Sequence, residues 1–254
     1  MTEYEPAVAP KQTLPSAFWY RRLFTIIATV CVVFIAFTTT AMFLYPGGAV
    51  PVANTHGYQF FINFFSDLGQ TRTQTGATNY PSMILFTSAM AVAGSGVGVF
   101  FIAFRKFFVS RPATVWAQRV SMAATVVGVI AAICFIGLGA TPYNLFFLAH
   151  QAFVQWAFRS LLLAVILEII AMRGSQGIPA SLLRVNVAFV VILFGYLMLM
   201  MFGPSTGTII GDEIHAVGQK FIVYTAISTI FAQALLVRTH IHQPVAALVP
   251  VAER

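Results

Sequence analysis

Two histidines and an aspartate carry the strongest suggestion of chemistry in this chain. His150, His215 and Asp67 are the donor types of a His₂-carboxylate Zn²⁺ site, which leaves one position open for an activated water. Asp212 and Glu213 stand beside His215 and supply a candidate general base. The same two imidazoles are also a candidate pair of haem ligands. No two of these donors share a compact motif such as H-E-x-x-H, so spacing alone does not assemble a metal centre. The neighbouring types suit binding equally well. Ser66, Gln151, Gln155 and Gln219 offer hydrogen bonds, and Arg159 and Lys220 would attract an anionic head group that Asp67 orients. His56 and the pair His240 and His242 are lesser candidates: His56 reads as a loop residue, the pair as part of a tail.

The elements that must position these groups are membrane spans. Residues 141–173, TPYNLFFLAHQAFVQWAFRSLLLAVILEIIAMR, are long and apolar enough to cross a bilayer, yet hold His150, Gln151, Gln155, Arg159 and Glu168. Ionisable groups at that depth are costly and rare, which marks them as functional candidates. Each has a structural alternative. Arg159 could fix bundle packing through a carboxylate or helix carbonyls, and Glu168 could snorkel or pair with Arg173.

Composition agrees with a membrane setting. Of 254 residues, 59% are hydrophobic and 8% charged, against about 25% charged in soluble domains, too few to cover a water-facing surface. The net charge of +7 sits beside apolar runs, where it sets topology, and nucleic acid is excluded as a partner. Cys31 and Cys134 fall inside spans and read as small hydrophobes.

Six apolar runs, at about 20 residues per crossing, predict an all-α polytopic bundle with spans near 23–45, 81–104, 118–140, 145–172, 184–203 and 214–237. Residues 1–20 and 239–254 read as tails. Tyr45-Pro46-Gly47-Gly48 ends the first span, and the segment 58–69, YQFFINFFSDLG, is too short to cross and reads as re-entrant or interfacial. Gly94-Ser95-Gly96-Val97-Gly98 lies mid-span, where small residues allow close helix packing. Eleven of the 14 Lys and Arg fall in the tails and the second and fourth loops, whereas the first, third and fifth loops hold only Arg72. By the positive-inside rule both termini are cytoplasmic.

That orientation gathers the polar residues under the outer face. Gln151, Gln155 and Arg159 form one helical stripe, with His150 about 100° round. His215 and Gln219 form a second stripe, while Lys220, Tyr224 and Ser228 lie on another side of the same helix. An outward-opening cavity between the fourth and sixth spans, roofed by the first loop, would hold them.

At Ser66-Asp67-Leu68-Gly69 the chain resembles the prokaryotic six-helix membrane family catalogued as domain of unknown function 998. The matching features are Tyr45-Pro46-Gly47 closing span one, N-x-x-S-D-L-G at Asn63–Gly69 and Asn79 before a small-residue-rich second span. Gly137, Gly139 and His150 around the start of span four, and Gln219-Lys220 in span six, complete the pattern. A looser similarity extends to the Frag1/DRAM/Sfk1 group. The resemblance implies six spans and, through the looser group, lipid handling. In this family an acid is common where Gln219 stands, and the stretch between Gly47 and Asn63 is longer than its pattern, so His56 inherits no role.

Three functions fit these readings: binding or transport of a lipid or other amphiphile, an accessory subunit packed on membrane-protein partners through the glycine stripe, and a metal-dependent intramembrane hydrolase. Against transport, no inverted repeat and no pair of Pro-broken spans is evident.

Overall fold

In the computed structural model, residues 17–49 and 55–241 are described. They form six helices, α1 (Ala17–Leu44), α2 (Tyr80–Val109), α3 (Val115–Ala140), α4 (Phe147–Arg173), α5 (Ala180–Phe202) and α6 (Ile209–His240), with one short 3₁₀ turn at Phe65–Gly69. All six are long and apolar enough to cross a membrane, and no β-strand occurs among the described residues. This is an all-α, six-span membrane architecture.

Most helices outrun the apolar windows that announce them. α1 begins at Ala17, taking in residues assigned to the first tail, and α6 runs from Ile209 to His240. A helix satisfies its own backbone, so it continues through the interfacial layer wherever no breaker intervenes. Threonines cap two starts: Thr114 Oγ1 accepts from Ala117 N at 3.1 Å and Thr208 Oγ1 accepts from Gly211 N at 3.1 Å, filling donors that helix geometry leaves empty. Residues 1–16, 50–54 and 242–254 lie outside the described residues, and with them most of both expected tails and His242.

The helices pack in a closed ring, each on its sequence neighbours and α6 back on α1. Aromatic side chains fill much of the centre; Phe24, Phe34, Phe86, Phe100 and Phe107 are fully buried. The glycine run of α2 is spent inside this ring. A Cβ on Gly94 would lie 2.7 Å from Ile136 and 2.9 Å from the Ala132 carbonyl of α3, and one on Gly96 would lie 2.6 Å from Val30 of α1. Gly94 and Gly96 therefore seat α2 between α1 and α3 of this chain.

The bundle has two unlike ends. At one, Arg111 donates to the His240 carbonyl at 2.8 Å and Thr114 N to the Gly174 carbonyl at 3.2 Å; most of the basic residues belong to this end. At the other lie residues 45–79, 141–146 and 203–208, whose described residues contain one Lys or Arg, Arg72.

The longest connection folds into this second end. Gly47 takes φ +124°, and a Cβ there would meet the Thr55 carbonyl at 2.2 Å, so only glycine makes the turn. The chain then dips inward. Phe65 is buried against Phe34 of α1, Phe86 of α2 and Tyr224 of α6, with ring centroids 6.1, 5.7 and 5.9 Å away. Phe34 precedes the last residue of α1 by ten positions, which places the dip about 15 Å below that helix end at 1.5 Å per residue. This is a re-entrant geometry.

Candidate functional site

The re-entrant segment is held by its own polar side chains. Asp67 Oδ2 accepts from Asn63 Nδ2 and from Phe64 N, both at 2.9 Å, and Oδ1 accepts from Gln70 Nε2 at 3.0 Å. Asn63 also donates to the Gly48 carbonyl at 2.9 Å, and Asn79 donates to the Leu68 and Gln70 carbonyls at 3.2 and 2.9 Å. A backbone that turns inside a bundle must find partners for its amides and carbonyls; Asn63, Asp67 and Asn79 are those partners. Gly69 completes the segment, because a Cβ there would sit 2.7 Å from the Phe86 ring. Burial raises the Asp67 carboxyl to about 6, while the Asn63 and Phe64 hydrogen bonds and the Lys220 charge pull it down.

Helix α6 ties the segment from the side. Gln219 Oε1 accepts from Phe65 N at 2.7 Å, and Lys220 Nζ donates to the Asn63 carbonyl at 2.5 Å and the Ala216 carbonyl at 3.0 Å.

Above and beside the segment opens a cavity of about 450 Å³ between α4, the end of α5 and the start of α6. Ser66, Asp67, His150, Gln151, Gln155, His215 and Gln219 all line it. Its most informative member is His150, which is 2% exposed. The ring's Nδ1 lies 2.7 Å from the Thr141 carbonyl oxygen; a carbonyl only accepts, so Nδ1 carries a proton, and in the neutral imidazole Nε2 keeps a lone pair. That Nε2 is buried and has no partner. Asp212 is similar: Oδ1 accepts from Gly207 N at 3.0 Å, while the buried Oδ2 has no partner. The buried Gln155 Oε1 is the third such acceptor on the same wall. Buried polar atoms normally find partners, so three empty acceptors around one cavity call for a ligand or water.

Two expected residues lie elsewhere. Arg159 is exposed on α4 and does not reach the cavity. Lys220 faces the other side of α6, lining a lateral groove between α5 and α6 with Tyr224 and Ser228. The anion-attracting pair expected from sequence is therefore absent from this cavity. The metal constellation is not preassembled either. No three His, Cys, Asp or Glu side chains come together in a metal-holding group among the described residues, and His215 turns its Nε2 to the Pro204 carbonyl at 2.9 Å. Glu168 does not pair with Arg173: it is 4% exposed with Oε2 unpartnered, while Arg173 faces out.

Sequence reasoning missed Tyr143, Tyr196, Gln74 and Thr206, which also line the cavity. Tyr143 follows Thr141-Pro142 at the mouth of α4 and packs edge-on to His150, with centroids 5.8 Å apart; its place seven residues, about two helical turns, before His150 was the available signal. Beneath the polar cavity lies a small apolar one of about 50 Å³, lined by Phe34, Phe86, Phe135 and Ile230 among others. Ser66 and Gln219 border both.

Compared with protein-family models, curated proteins and solved structures, the chain gives no match in any of the three.

Proposed function

We propose that this chain is a multi-pass membrane protein that binds an amphiphile at the end of its bundle, with the polar head in the cavity between α4 and α6. The observation that carries the reading is the set of unpartnered buried acceptors, His150 Nε2, Gln155 Oε1 and Asp212 Oδ2, around one cavity. Leaving such atoms empty costs about 1–3 kcal/mol each, a cost that a bound polar group removes. The apolar pocket behind Ser66 and Gln219 supports an amphiphile over a wholly polar solute. The scarcity of Lys and Arg at this end supports an extracytoplasmic opening and cytoplasmic termini in a cell membrane. The resemblance at Asn63–Gly69 agrees with such a site, since those residues build the cavity floor.

Native mass spectrometry of the protein released from nanodiscs of its host membrane tests the reading. A retained amphiphile at one per chain, lost in His150→Phe, is the expected result; a wild-type protein that carries none overturns it.

One observation favours hydrolysis as the second reading. A neutral imidazole whose Nδ1–H is fixed by a carbonyl presents Nε2 as a general base, and Ser66 lines the same cavity as a candidate nucleophile. Release of fatty acid from the retained amphiphile by the wild type, but not by His150→Gln, would select it.

A further inference from the structure

The same cavity discriminates by charge. Resting on the binding reading above, we propose that the head group it receives is cationic, a protonated amine, and that anionic amphiphiles are excluded.

The chemistry of the lining is one-sided. Two carboxylates, Asp67 and Asp212, face the cavity and no Lys or Arg does. Asp67 is occupied by Asn63, Phe64 N and Gln70, but the second oxygen of Asp212 is free. His150 adds an independent acceptor that is 2% exposed, and Gln155 Oε1 adds another. Every unpartnered buried atom on this wall thus accepts, and an ammonium, with three donors and no acceptor, is their complement. A phosphate or carboxylate would meet two carboxylates and no Lys or Arg, with only the neutral hydroxyls and amides of residues such as Ser66, Gln151 and Tyr143 to donate to it. Aromatic rings at Phe64, Tyr143, Phe147 and Tyr196 make up much of the remaining wall, a surface that attracts cations to its faces. Lys220 is turned away into the lateral groove and anchored to the Asn63 and Ala216 carbonyls.

A protonated amine reaches this site either as a free long-chain amine or as the ethanolamine of a zwitterionic lipid. The test uses the full chain in a neutral maltoside micelle, with decylammonium, decanol and decanoate as probes of equal chain length and the thermal unfolding midpoint as readout. Decylammonium should stabilise the wild type by several degrees, decanol less, and decanoate not at all. Asp212→Asn keeps the acceptor for Gly207 N and should raise the decylammonium concentration for half-effect about tenfold, the loss of one charged contact. Gln151→Lys, at an exposed position on the rim, should reverse the preference in favour of decanoate. Stabilisation by phosphatidylethanolamine equal to that by decylammonium would identify the lipid source; stabilisation by decylammonium alone would identify the free amine; either supports the proposal. Decanoate stabilising the wild type as well as decylammonium overturns the charge assignment and leaves amphiphile binding standing. No stabilisation by any probe, with no amphiphile retained on purification, removes the site itself.

Discussion

Lys220 Nζ reaches across to the carbonyl oxygen of Asn63, 157 positions earlier in the chain, and so pins the re-entrant segment to α6. The Asn63 carbonyl also accepts from Tyr58 OH at 3.2 Å, and the ammonium lies 5.5 Å from the Tyr58 ring centroid. Lys220→Met keeps the stem and removes the donors. We expect a loss of about 1.5–3 kcal/mol, the net worth of a hydrogen bond from a charged donor, with Tyr58 OH left to hold the Asn63 carbonyl. Loosening of the segment should speed tryptic cleavage at the exposed Arg72. Unchanged cleavage in the variant would show that the lysine does not hold the loop.

Gly69 approaches the Phe86 ring too closely for any side chain. Gly69→Ala should destabilise by about 1–3 kcal/mol through overpacking. Adding Phe86→Leu should recover part of that loss, because it removes the ring atoms in the way. A double variant no more stable than Gly69→Ala would point to backbone strain in place of this contact.

The Asp67 carboxyl titrates at about 6 in the folded chain, against an ordinary value of 3.8. Its folded pKa is raised, so its contribution is fully present below the unfolded pKa and is lost as pH rises through 6. Between pH 4 and 6 the folded state therefore holds more protons, and acidification across that window stabilises by about 2 kcal/mol from this group. The unfolding midpoint should rise from pH 7 to pH 5 more steeply in the wild type than in Asp67→Asn. Parallel pH profiles would refute the assignment.

Orientation is open to a labelling measurement. Both native cysteines are buried, so single reporters read cleanly. Thr75→Cys, on the exposed loop before α2, should react with an impermeant maleimide added to intact cells. Gln176→Cys, at the basic end, should react only after permeabilisation. The reverse pattern would invert the positive-inside reading.

Helix faces were legible in the sequence because they follow from 100° per residue. His215 and Gln219 do share the cavity side, and Lys220, Tyr224 and Ser228 do share the groove side. The same rule explains Arg159. It stands eight residues after Gln151, so it has drifted about 80° round the helix and about 12 Å along it, which carries it out of the cavity. A stripe of i, i+4 residues stays on one face only for a turn or two.

The crossings, their number and the burial of polar residues among them were determined by contiguous sequence, since each depends on the hydropathy of about 20 neighbouring residues. Which faces meet was decided only by the tertiary structure. The Phe65 amide finds Gln219, Asn63 finds Lys220, and Tyr196 of α5 joins His150 of α4 in one cavity lining only once the helices have packed. Those pairings depend on interlocking surfaces far apart in the chain, and no local period encodes them. Which of these faces encloses the cavity belongs to the same class, and it leaves both Arg159 and Lys220 outside the lining.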